Sequence, residues 1–353
     1  GPIQPDDGIC QRISDERSGG VGDNGTECRL CTPDANLQCV PYPVSQEAVE
    51  VIPMKRGLFA AALAGLAIFL TAGTVFLSTG ETVPSEIITV REGDAERGAY
   101  VARMSGCIAC HTNEAAGGAL LAGGPPLQTQ FGTFFGPNIT PDKPHGLGNW
   151  TLDDFARALR LGISPNGKPY YPAFPFGFYT KLTDQDVADL WAAFQTVPGI
   201  PSPSKPQEIS FPFNQRWTLR GWKRLFFNPG VFQPQPGESD LWNRGKYIVT
   251  GPAHCGACHT PRNPLGGRNA EQALHGAGEL PGNERSPQIT AEALREKGWT
   301  ETNLAFGLRF GTKPNGDVVG GSMGEVVRDG TSWLTDEDLE AIAHYLLNNP
   351  KQD

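Results

Sequence analysis

Cys107-Ile108-Ala109-Cys110-His111 and Cys255-Gly256-Ala257-Cys258-His259 each set two thiols three positions apart, with an imidazole beside the second. Thiols at that spacing share one helical turn, from which both can reach the vinyl groups along one edge of a haem while the adjacent histidine faces the iron. The pattern predicts two covalently bound haem c groups, held through Cys107, Cys110, Cys255 and Cys258, with His111 and His259 as proximal iron ligands. A zinc or redox C-x-x-C site is the competing reading; the recurrence of the full motif inside a longer repeat weighs against it.

A six-coordinate haem needs a second axial ligand, and methionine in that place raises the reduction potential. The chain has only three methionines. Met323, in GGSMGEV, follows His259 at the distance expected of a distal loop, and Gly320, Gly321 and Gly324 read as a close backbone approach. It is the expected distal ligand of the second haem. Counting back through the shared Pro-Asn-Gly anchor, the matching position in the first copy is Phe174, which cannot ligate iron. The first haem is then five-coordinate or ligated from elsewhere. His145, in PDKPHGLGNW, is the chemically best substitute, ahead of Lys168 and Met104, although its place also suits the propionate edge or an ordinary loop histidine. Trp150 and Trp299 open helices ahead of the distal segments, where either a propionate hydrogen bond or core packing would account for them.

The other four cysteines, Cys10, Cys28, Cys31 and Cys39, lie in residues 1–57 and none precedes a histidine. Their grouping suggests a tetrathiolate zinc or iron site, which would also staple a segment too short to fold alone. Four unliganded thiols are the alternative, and the spacing matches no iron–sulfur signature.

The elements that must position these groups come as a repeat. CIACHT, PNIT, WTLDDFARALRLGISPNG and LTDQDVADLWAAF in the first copy are answered by CGACHT, SPQIT, WTETNLAFGLRFGTKPNG and LTDEDLEAIAHYL in the second. Leu339, Ile342, Ala343, Leu346 and Leu347 follow the stripe of an amphipathic helix, as do Val187, Leu190, Trp191 and Phe194. Thr151 with Asp154, Thr183 with Asp186 and Thr335 with Asp338 are capping-box starts. With no long alternating β-branched run, the fold class reads as all-α. Residues 94–197 and 239–353 form two haem domains; 79–93 is a linker, and 198–238 is a Pro-rich, aromatic connector. Trp217, Trp222, Phe226 and Phe227 in that connector are expected to pack on the domains or to meet a partner or membrane surface.

Leu58 to Leu77 is uncharged and long enough, at helical rise, for the roughly 30 Å core of a bilayer. Residues 58–78 therefore read as a single membrane-spanning helix. Lys55 and Arg56 before it, with Glu81, Glu86 and Glu92 after it, would put residues 1–57 in the cytoplasm and the haem domains in the periplasm of a bacterial inner membrane. The net charge of −9 excludes a protein built on phosphate-backbone binding, so nucleic acid is not an expected partner.

Residues 94–349 resemble the membrane-associated multi-haem cytochrome c subunits of bacterial periplasmic alcohol and aldehyde dehydrogenases. The likeness rests on both C-x-x-C-H sites, PNITPD, GNWTLDDFARALR, YPAFPF, LTDQDV and GGSMGEVVRDGTSWLTDEDL. The resemblance implies tandem class I cytochrome c domains that carry electrons from a catalytic dehydrogenase subunit, or another respiratory complex, to a quinone, a soluble cytochrome or a terminal oxidase. On that reading the chain is an electron-transfer subunit rather than an enzyme by itself. The ligand difference between the two sites, Met323 against Phe174, leads to the expectation that electrons run from the first haem to the second. Two other readings stay open: a haem enzyme whose open first site acts on peroxide or a sulfur compound, and a structural anchor for a partner.

Overall fold

The computed structural model describes residues 61, 63–68, 71, 73, 87–278, 280 and 284–349. The chain divides into Gly1–Ala67 and Ile68–Asp353. In the first unit the described residues, 61 and 63–67, are helical and exposed. Among the described residues no helix is long and apolar enough to cross a membrane. That finding overturns the expected spanning helix over 58–78 and, with it, the single-pass inner-membrane topology. Cys10, Cys28, Cys31 and Cys39 lie outside the described residues.

In the second unit each copy of the repeat is built on a crossed pair of helices. Asp94 caps the first, α1 (Ala95–Met104), by accepting from the amides of Glu96 and Arg97. It leads through Gly106 into α2 (Cys107–His111). Two short strands follow, β1 (Pro126–Thr129) and β2 (Gly132–Phe135), then α3 (Leu152–Leu161), α4 (Phe176–Tyr179) and α5 (Asp184–Thr196). The connector contributes β3 (Glu208–Ile209) and α6 (Thr218–Phe226). The second copy consists of α7 (Asp240–Thr250), α8 (Gly256–His259), α9 (Ala291–Glu296), α10 (Glu301–Phe310), α11 (Gly321–Asp329) and α12 (Asp336–Asn348). The expected caps are present: Thr151 and Asp154 form a reciprocal capping box, while Thr183 and Thr335 accept from the amides of Asp186 and Asp338.

α1 crosses α5, and α7 crosses α12, at matched glycines. A Cβ on Gly98 would lie 1.9 Å from the Asp189 carbonyl oxygen, and one on Gly245 would lie 2.0 Å from that of Ala341. Both glycines therefore exist to let two backbones touch. Val101, Leu159, Leu190 and Phe194 of the first copy join Ile248, Leu339, Ile342 and Leu346 of the second in one buried cluster.

The all-α expectation needs correction as well. β1, β2 and β3 form a three-stranded antiparallel sheet, with Pro126 opposite Phe135 and Gly132 opposite Ile209. Its strands have 4, 4 and 2 residues, too short for a period-2 pattern to register in the sequence. The third strand is held by Gln207, whose side chain accepts from the Phe135 amide and donates to its carbonyl at 2.8 and 2.9 Å. The connector is thereby tied to the first copy. It also reaches the second, where Trp222 Nε1 donates to the Leu265 carbonyl and Phe226 covers Gly267. Phe227 meets Phe176 edge-on, while Trp217 stays exposed.

The copies dock reciprocally. Tyr100 donates its hydroxyl to Asp338 at 2.6 Å and Tyr247 donates to Asp186. Each tyrosine hydroxyl also accepts the amide of the Thr that caps the other copy's last helix, Thr335 for Tyr100 and Thr183 for Tyr247. Arg244 pairs with Asp338 at 2.7 Å, and Arg97 reaches Asp186 at 3.7 Å.

Candidate haem sites

His111 ends α2 with its Nδ1 2.7 Å from the carbonyl oxygen of Pro137. His259 ends α8 with its Nδ1 2.8 Å from that of Pro287. A carbonyl can only accept, so Nδ1 carries the proton in each ring and Nε2 keeps its lone pair, the tautomer a metal-ligating imidazole needs. Burial holds both histidines below their usual pKa, against the opposing pull of the carbonyl, which keeps the rings neutral. Sequence reading missed the two prolines. The signal was present, since PNIT and SPQIT recur after the two attachment motifs.

The four thiols are unpaired. Burial pushes Cys107 and Cys255 up to about 12, surroundings suited to neutral sulfur, such as a thioether, rather than to the thiolates of a zinc site. Cys110 and Cys258 point outward from the same turns. The backbone around the first motif is tightly covered: a Cβ on either Gly124 or Gly136 would lie 1.9 Å from the Cys110 carbonyl oxygen. In the second motif the equivalent carbonyl, on Cys258, accepts the Ser286 hydroxyl at 2.6 Å. One inward thiol, one outward thiol and an oriented imidazole in each copy fit a covalently attached haem. The group would supply a one-electron iron couple.

The cytochrome c family matches residues 95–194. A "Diheme cytochrome c-type" protein of Cereibacter sphaeroides is 43% identical over 305 residues, covering 84% of this chain and 99% of that protein. The chain belongs to the dihaem c-type cytochromes. It is also 39% identical over 263 residues to "Alcohol dehydrogenase (quinone), cytochrome c subunit" of Gluconacetobacter polyoxogenes, across 72% of this chain and 56% of that one. A third relative, "Fructose dehydrogenase cytochrome subunit" of Gluconobacter japonicus, is 38% identical over 289 residues, 80% of this chain and 58% of its own length. The chain thus spans little more than half of each of these two dehydrogenase subunits. As a dihaem c-type cytochrome it carries covalently bound haem c, and His111 and His259 are the residues suited to meet the iron.

The other expected ligands are placed as follows. Met323 lies, partly buried, inside α11 rather than in a loop. Gly321 enters the helix at a φ of 59°, and the Glu284 carboxylate accepts the Ser322 amide at 3.2 Å, so a glycine-rich stretch that reads as a turn is wound into helix. Phe174 sits in a ring cluster with Tyr170, Phe176 and Tyr179, at centroid distances of 5.6, 6.4 and 5.7 Å. His145 belongs to the loop running on from Pro137, with Nδ1 3.0 Å from Asp142 Oδ2. Met104 is buried in the core on α1, and Lys168 is exposed. Trp150 and Trp299 both pack against the core cluster. Among the described residues no group of three or more His, Cys, Asp or Glu is arranged to hold a metal ion, so the additional zinc or iron site has no support there.

Proposed function

We propose that this cytochrome is a one-electron relay, taking electrons from a dehydrogenase at one haem domain and delivering them from the other to a downstream quinone, soluble cytochrome or oxidase. The observation that carries the reading is the pair of equivalent imidazoles, each fixed by a proline carbonyl, in two copies docked through shared hydrogen bonds. Such a scaffold holds two redox centres at fixed separation. The dehydrogenase partner is supported by the printed names of the alcohol and fructose dehydrogenase relatives. Met323 serves as the distal ligand of the second haem, whose potential then exceeds that of the first, so electrons run from first to second. Redox titration of the dihaem protein tests this: two one-electron waves are expected, and removal of the His259 haem should delete the higher. Loss of the lower wave instead would reverse the direction.

A second reading rests on Phe174, an apolar ring at the position answering to Met323. If no side chain completes the first site, it is open to a small ligand and fits peroxide or sulfur-compound chemistry. Carbon monoxide binding at one haem per chain would favour it; none would leave the relay alone.

A further inference from the structure

Gly106 and His254 occupy the same place in the two copies, one residue before the first attachment cysteine. Both adopt left-handed backbone, with φ of 64° and 42°. Glycine does so freely, whereas a side chain there is uncommon, so the imidazole of His254 is retained against a conformational cost. Its ring turns across the boundary between the copies. A Cβ on Gly106 would lie 3.4 Å from His254 Cε1, so the ring occupies the space that glycine leaves open. It meets Tyr179 and Phe178 of the first copy edge-on, at centroid distances of 5.7 and 6.1 Å. Tyr179 in turn donates its hydroxyl to the carbonyl of Ser105, one residue before Gly106. On its own side, His254 Nδ1 is 2.8 Å from the Pro252 carbonyl oxygen, which fixes the ring plane.

Other contacts draw the same two regions together. α11, which carries Met323, packs against α2 of the first copy. Arg268 lies with its guanidinium carbon 3.8 Å above the Phe178 ring.

We infer that His254 is the positioning residue that couples the two haem sites, its ring filling the space between the two attachment segments so that they form one continuous packed path for electron exchange. The inference rests on the relay reading. In the step it serves, one electron leaves the reduced centre of one copy and reduces the oxidised centre of the other. No bond forms or breaks, and no proton moves, because Nδ1–H stays on the Pro252 carbonyl.

His254→Gly in the full dihaem protein is the direct test, because glycine keeps the left-handed backbone and removes only the ring. His254→Asn, whose short side chain also tolerates this conformation, is the second variant. Gly106→Ala approaches from the opposite side, by pushing a methyl group toward the ring. The readout is the rate at which one photoinjected electron redistributes between the haems, with midpoint potentials and haem spectra recorded on the same samples. Several-fold slower redistribution is expected in all three, with potentials and spectra retained. Wild-type rates in all three would overturn the role of His254. Loss of haem attachment in all three would also overturn it, since His254 would then serve assembly of the site. Absence of redistribution in the wild-type protein would instead remove the relay reading, a separate outcome.

Discussion

Tyr247 of the second copy donates its hydroxyl to Asp186 at the start of α5, and Tyr100 of the first does the same to Asp338 at the start of α12. Each aspartate also serves its own copy, donating its backbone amide to the capping hydroxyl of Thr183 or Thr335 and facing Arg97 or Arg244. The docking contacts therefore converge on the helix caps, and separating the copies would strip the Thr183 and Thr335 amides and the two aspartates of their tyrosine partners. Tyr247→Phe is expected to destabilise the holoprotein by about 1.5–3 kcal/mol, the range for a hydrogen bond to a charged group. Denaturant unfolding followed at the haem bands and by far-UV dichroism would check it; an effect confined to the second copy would count against shared docking.

The same tyrosines set an alkaline limit. Burial, reinforced by Asp338, raises Tyr100 to about 12, and burial with Asp186 raises Tyr247 further still. The unfolded chain ionises these phenols near pH 10. Between that value and the folded pKa the unfolded state holds fewer protons, so stability falls as pH rises. The contribution is complete below about pH 10, and that of Tyr100 is gone once pH passes about 12. Unfolding free energies measured across this window should decline, and Tyr100→Phe should make the decline shallower.

Gly98→Ala and Gly245→Ala should each cost about 1–3 kcal/mol through overpacking, although alanine is the better helix former. The new methyl groups would meet carbonyl oxygens at 1.9 and 2.0 Å and force the crossed helices apart. Equal unfolding midpoints for wild type and variants would show that the crossings have slack.

Met323→Leu preserves volume and removes the sulfur. The expected result is a lower midpoint potential at one haem, with new carbon monoxide binding at that haem and the other unchanged. Unaltered redox waves would exclude Met323 as a ligand.

Phe174→Met is the converse. The thioether would enter a ring cluster at modest packing cost and, if the first haem has a free axial position, should raise its potential and abolish any carbon monoxide binding there. An unchanged potential would place Phe174 away from the iron.

What the sequence disclosed follows from range. The Thr–Asp caps and the stripe of Leu339, Ile342 and Leu346 depend on neighbours three or four positions away, and each is found where local pattern puts it. The attachment motifs are equally local. Bonds between distant segments were not legible: the Pro137 and Pro287 carbonyls that orient the imidazoles, the Gln207 side chain that recruits β3, and the Glu284 carboxylate that starts a helix across Gly321. The segment over 58–78 was misread because hydropathy and length alone cannot say whether a continuous spanning helix forms.

The crossed Tyr–Asp bonds have the form of an isologous contact, in which residue i meets j and j meets i. A true homodimer of one haem module would have to display the same ligands and the same boundary residues twice. Here one polypeptide holds both partners of that dimer, so symmetry is kept where it binds the halves together and released where it would constrain the chemistry. Phenylalanine can stand opposite methionine, and histidine opposite glycine, only because the two halves no longer share a single sequence.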